Sequence, residues 1–343
     1  MINKIVFADE ITLWWKEESF AETNLQYQCY LNGELHGSTD KTHYSFLGLQ
    51  AYTDYQIKVE TWKNGELLRS ESFSVQTPKS KNKLDVSKPP YNAVGNGKTL
   101  NTQALQKALD DCTENDCVYF PAGTYLTGAL DVHSNTEMYI ETGATLQGSS
   151  NETDYLPKIR SRFEGEEREC YRSLINIGTL DSKGGYYCEN VVIRGAGAIY
   201  GGGLDLATRI TEVEKIRLRT FMQENADYVK SCENENTIPA RARGRLININ
   251  NTQNVIIAGL ALGYAASWNV HFVYSKNIIT YGCSITSVGV WNGDGWDPDS
   301  SENCVIFNTV FDTHDNAIAA EIPRVIRIAD GKILTGSGEE AGI

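Results

Sequence analysis

Residues 292–299, Asn-Gly-Asp-Gly-Trp-Asp-Pro-Asp, set three aspartates among glycines. That is a poor helix and a poor solvated face, and Gly293 and Gly295 suggest a sharp backbone turn around Asp294. A second acidic stretch, Thr313-His314-Asp315-Asn316, follows at once and places Asp315 21 positions after Asp294. Two carboxyl groups held a fixed distance apart can protonate a leaving oxygen and activate a water, the chemistry of bond hydrolysis by general acid and base. A bound calcium is the competing reading, since Asp294, Asp297 and Asp299 carry oxygen donors. The stretch lacks the EF-hand spacing and its terminal Glu, so no metal and no cofactor is expected.

The elements that must position these carboxylates repeat. Asn-Val-Ile-Ile begins at 254, Asn-Ile-Ile-Thr at 277 and Asn-Cys-Val-Ile at 303, steps of 23 and 26 residues. Such a period reads as the coils of a solenoid. Stacked coils lie about 4.8 Å apart, so Asp294 and Asp315 are expected on one face, on neighbouring rungs. Earlier runs at 118–125, 141–146 and 190–203 share the pattern of β-branched residues punctuated by Gly or Asn. An amphipathic helix near Thr102–Cys112 is placed to cap the first coil. Residues 204–231 interrupt the period with basic residues (Arg209, Lys215, Arg217, Arg219) at helical spacing, a helical insertion on the flank.

Ahead of the solenoid, residues 1–78 read as all-β, with alternating runs and hairpin signals at Asn32-Gly33 and Asn64-Gly65. Residues 79–90, polar and ending in Pro89-Pro90, read as a linker. The second domain is then expected over 91–343.

The 343 residues carry a net charge of −13. Nucleic acid and anionic membrane surfaces are therefore excluded as general partners, and an acidic substrate would need a local basic pocket. The eight cysteines include no CxxC pair and read mainly as small buried hydrophobes. No run approaches the length of a membrane helix. The first nine residues hold no signal-peptide core, so a cytoplasmic location is expected if Met1 is the true start. Oligomeric state is not readable.

Two resemblances add to this. Leu49-Gln50-Ala51-Tyr52-Thr53-Asp54-Tyr55 resembles the fibronectin type III motif, with Ala51 in place of its Pro. It implies a β-sandwich in which Tyr55 is the tyrosine-corner residue and Trp14 the core tryptophan of the second strand. From about 91 to 319 the chain resembles the polygalacturonase family of inverting glycoside hydrolases. The likeness is carried by Ser161-Arg162-Phe163-Glu164-Gly165, Gly244-Arg245-Leu246-Ile247, Ser267-Trp268-Asn269-Val270-His271, Asn303-Cys304-Val305-Ile306 and the two aspartate stretches. It implies an all-β protein with a right-handed parallel β-helix, and hydrolysis of α-1,4-linked galacturonan or its oligomers. By the same carry-over Asp294 is the base, Asp315 the acid, and Asn316 falls where the family's second pair member helps hold the water. Asn292 is expected to position substrate or water, and His271 next to Trp268 lines a sugar site or is a buried structural histidine.

The chain departs from the family at Asn316, where a second aspartate is usual. Asparagine orients water but accepts no proton, and losing a negative neighbour lowers the pKa of Asp315. Weaker activity and a lower acidic limb are expected. Gly293 replaces a threonine, a milder departure. The family's later Gly-His-Gly histidine and Arg-Ile-Lys cations are not found, and the tail after Ala319 shows no solenoid period. A frame-changing deletion would produce such a tail; DNA sequence downstream of the Ala319 codon tests this. Impaired activity is expected in consequence. Rhamnogalacturonan hydrolysis is the alternative on the same scaffold, and a noncatalytic or decayed carbohydrate-binding protein is the alternative of another class.

Overall fold

In a computed structural model the chain divides into two units, Met1–Lys81 with Pro323–Ile343, and Asn82–Ile322. Each has its own hydrophobic core. The structure describes residues 2–16, 24–319, and the short strands 327–329 and 332–334.

In the first unit two antiparallel sheets enclose a core. Ile2–Val6, Glu10–Trp15 and His43–Leu47 form one; Glu34–Thr39, Leu25–Leu31, Asp54–Lys63 and Glu66–Gln76 form the other. Period-2 alternation sends Ile11, Leu13 and Trp15 inward to meet Tyr27, Phe46 and Ile57. The core tryptophan is therefore Trp15, 1% exposed, and not Trp14, which lies on the opposite side of the same strand. The Tyr55 hydroxyl accepts the Gln50 N–H at 2.9 Å, as a tyrosine corner does. Both Asn-Gly pairs turn hairpins with positive φ at both residues.

The second unit is a right-handed parallel β-helix of three sheets. Two have seven strands each, and the third runs Leu130–Val132, Ile175–Gly178, Ile247–Asn250, Val270–Val273, Trp296–Asp299. The stretch expected as a linker instead begins this solenoid. Asn82–Asp85 pairs in parallel with Asp116–Tyr119, and Val86 is fully buried. The cap helix spans Thr102–Asp110 and buries Leu105, Ala108 and Leu109. The asparagines that open the repeats turn the corners. Asn135, Asn190, Asn254, Asn277 and Asn303 all hold φ between 52° and 63°, a left-handed conformation asparagine tolerates. Their side-chain amides hydrogen-bond one to the next at 2.9–3.1 Å.

Two additions flank the coils. The insertion is a run of helices, Gly203–Arg217, Arg219–Glu224, Ala226–Ser231 and Thr237–Ala240. Leu206, Ala207 and Ile210 dock on the solenoid core, while Lys215 and Arg217 pair with Glu212 and Glu214. An antiparallel hairpin, Ile159–Phe163 with Glu166–Cys170, turns at Glu164-Gly165. Arg327–Ala329 and Lys332–Leu334 pair antiparallel. The remainder of the tail, on which the expectations about truncation after Ala319 fall, lies outside the described residues.

Candidate active site

The third sheet carries the acidic stretch as its last full strand. Trp296 points inward against Phe272, while Asp297 and Asp299 take the outward positions. The next pass of the chain lies alongside. Gly295 N–H donates to the Asn316 carbonyl at 2.9 Å and Trp296 N–H to the Ala317 carbonyl at 3.1 Å. Asp294 and Asp315 therefore stand at the same edge of adjacent rungs, as their spacing predicts. The glycines serve close approach rather than a left-handed turn. A Cβ on Gly295 would sit 2.5 Å from the Ala317 carbonyl oxygen and the Phe311 ring, and one on Gly293 2.8 Å from the Val290 oxygen. Positive φ falls on Asn292 instead.

Buried guanidinium groups hold this corner. Arg243, 1% exposed, donates to the carbonyls of Ala240, Ala266 and Trp291 at 2.7–2.9 Å and to Asn292 Oδ1 at 2.5 Å. Asn292 is thus an anchor for the loop before Asp294, its Oδ1 engaged by Arg243. From the preceding rung, Asn269 holds the Asp294 carbonyl with both its amide N–H and its side chain, at 2.9 and 2.8 Å.

Electrostatics separates the acids. Asp294 is 5% exposed; burial first, and the Asp315 charge second, push its carboxyl up to about 6, with Asn316 and Arg243 opposing. Asp297 is pushed well above the usual range by burial and then by Asp294. Asp299 is raised by burial despite an ion pair with Arg162 at 3.1 Å. Asp315 and Asn316 are exposed, and Asn316 N–H donates to the Asp315 carboxylate at 3.0 Å. Among the described residues no three His, Cys, Asp or Glu side chains are grouped to hold a metal ion.

The hairpin crosses this outer face. Phe163 stacks on Trp268 at 4.6 Å, and Arg245 lies over both rings. Beneath them His271 is 2% exposed, 4.8 Å from Trp268. Burial and the charges of Arg245 and Arg162 hold its pKa well below the ordinary value, so its ring is neutral. His271 therefore belongs to a covered layer, while Trp268 is only half-buried and keeps part of its ring open. On the far side of the hairpin, toward earlier coils, a cleft of about 820 Å³ is lined by Asp131, His133, Arg160, Asn176, Tyr187 and Asn250, among others. Sequence reasoning left Asp297 and Arg243 outside the site. Their signals were an aspartate three positions after Asp294 and an arginine immediately before the Gly-Arg-Leu-Ile motif.

Residues 89–313 match the family model described as rhamnogalacturonase A/epimerase, pectate lyase-like. The chain belongs to this family. It is 30% identical over 286 residues to an exo-poly-alpha-D-galacturonosidase of Dickeya chrysanthemi, covering 79% of this chain and 47% of that protein. A probable polygalacturonase of Vitis vinifera is 25% identical over 253 residues, covering 67% and 43%. The chain spans about half the length of the curated relatives it matches. The solved family 28 exopolygalacturonase of Yersinia enterocolitica shares the fold, with a TM-score of 0.80 at 23% identity over 93% of this chain and 64% of that one.

Proposed function

We propose that this site hydrolyses α-1,4-galacturonosidic bonds of polygalacturonate or its oligomers by a single inverting displacement. Water attacks the anomeric carbon as its proton passes to the Asp294 carboxylate. The bond to the leaving oxygen breaks as Asp315 donates a proton to it. The observation that carries this reading is the unlike state of two carboxyls on adjacent rungs, one buried and one open. A base whose pKa lies near 6 is poised close to neutral operating pH. The exposed acid on the neighbouring rung is open to the leaving oxygen of a bound sugar. Inverting enzymes space such a pair roughly 6.5–9.5 Å apart, a gap that neighbouring rungs with a lateral offset accommodate.

Exo action is favoured by the name of the Dickeya relative and by the hairpin, which walls the face on the side of the earlier coils. Affinity for an anionic sugar should be modest, because Arg162, Arg243 and Arg245 are already engaged by Asp299 or by carbonyls. The family description also names rhamnogalacturonase, so rhamnogalacturonan hydrolysis is the second reading. For the first unit, the sheet pairing and the Tyr55 corner support a fibronectin type III-like module.

Reducing-end release from galacturonate oligomers and from rhamnogalacturonan, by the chain and by Asp294→Asn and Asp315→Asn, tests the assignment. Release from galacturonan that either substitution abolishes is the expected result. Binding without product, or release that Asp315→Asn leaves intact, would overturn it in favour of a carbohydrate-binding protein or a different acid.

A further inference from the structure

Beneath the hairpin lies a layer of polar side chains that the roles above do not use. Asn248, His271 and Asp297 occupy one register column on the outer face of the third sheet. All are buried, at 1%, 2% and 5% exposure. Asn248 Oδ1, Asn250 Oδ1 and His271 Nδ1 have no hydrogen-bond partner among the described protein groups. Ser161 Oγ from the hairpin above and Arg245 Nε from the side are in the same condition. Neither Asp297 oxygen accepts a well-formed hydrogen bond, the Ala319 amide being the backbone group facing it. Buried polar atoms without partners are rare and individually costly. Here six residues supply them in one continuous layer.

The layer has two ends. Asn250, with Ile159 of the hairpin, lines the cleft on the earlier coils. Asp297 adjoins Asp294. From Asn248 to Asp297 is two rung steps, about 9.6 Å. Buried waters make about three hydrogen bonds each, so the unpartnered atoms match about two or three waters.

We propose that this layer is a water-filled passage joining the side cleft to Asp294, floored by Asn248, Asn250 and His271, roofed by Ser161 and ending at Asp297. The role of its water rests on the hydrolytic reading; its presence does not. Hydrolysis consumes one water per bond. A sugar seated over Asp294 and Asp315 blocks direct entry from solvent, and the passage refills the site from behind. The proton taken from the attacking water leaves by the same file, with no other reactant required.

Two measurements test this. In a crystal structure that resolves ordered solvent, waters should bridge Asn250, Asn248, His271 and Asp297. Direct side-chain contacts closing the layer without water would overturn the proposal, whatever the protein's activity. Kinetically, Asn248→Leu fills the column with an apolar group and should lower kcat about tenfold while KM changes less than about twofold. Asn248→Ser leaves room for water and should keep most of kcat. A merely structural asparagine gives the opposite order, because Ser opens a cavity that Leu does not. Unchanged kcat in Asn248→Leu, or equal loss in both variants, would overturn the passage. Bridging waters in a chain that hydrolyses neither polymer would retain the passage and remove the hydrolytic reading instead.

Discussion

The proton on Asp294 links function to stability. Its folded pKa of about 6 stands above the ordinary 3.8. The charged form is thus the one burial disfavours. The native state loses stability as pH rises from 3.8 to about 6, and the full cost, about 3 kcal/mol, applies above that range. Asp294→Asn should abolish hydrolysis yet raise the melting temperature at pH 7, with no gain below pH 3.8. An equal effect at both pH values, followed by thermal denaturation, would remove the burial argument. The same value places the acidic limb of kcat/KM, which reports the free enzyme, near pH 6. Asn316→Asp should raise turnover several-fold, read from initial rates, by supplying a second carboxylate to hold and activate the attacking water. The two acids were legible in the sequence because their separation matches one coil. The sequence left His271 open between a sugar-lining and a buried structural side chain, because residue type alone does not tell a covered ring from one open to substrate; its 2% exposure decides for the second. The threonine-to-glycine change at 293 looked mild, yet a Cβ there would meet Val290 O at 2.8 Å. This backbone excludes threonine unless it shifts.

At the scale of elements, the repeat period and its leading asparagines announced the coils, and both are visible as left-handed corners joined by side-chain amides. The first rung was missed because Asn82-Lys83-Leu84-Asp85 is polar and lies just before a proline pair, which mimics a linker. The hairpin was recognised as a motif, but its placement over the aspartate sheet depends on contacts 112 and 138 residues away in sequence. Arg162 makes those contacts, donating to the Tyr274 hydroxyl at 2.9 Å and the Ser300 hydroxyl at 3.4 Å, and it also pairs with Asp299, whose side chain is 5% exposed. Arg162→Ala leaves that carboxylate buried without its cation, a change that costs about 3–5 kcal/mol. Denaturant unfolding should show that loss at pH 7 and a smaller one in acid, where Asp299 takes a proton. A loss independent of pH would mean that the arginine acts by packing alone.

For the whole molecule, composition and alternation separated an antiparallel β module from a parallel solenoid, and the two hydrophobic cores agree with that division. Solenoid stability is largely a sum over neighbouring coils, whereas a sandwich stands or falls with its one core. The two units should therefore respond separately to damage. Trp15 is 1% exposed and packs edge-on to Tyr27 at 4.8 Å. Trp15→Ala removes the largest side chain of the smaller core, a change of about 3–5 kcal/mol. Calorimetry of the full chain should show one transition moved to lower temperature or lost, with the solenoid's transition within a degree or so of its original position. The fold-sensitive signal of Trp268 and Trp296, both in the solenoid, reports which transition is which. A single transition that shifts as a whole would show that the two cores melt as one cooperative unit, and the sandwich would then belong to the stability of the enzyme-like coils rather than stand apart from them.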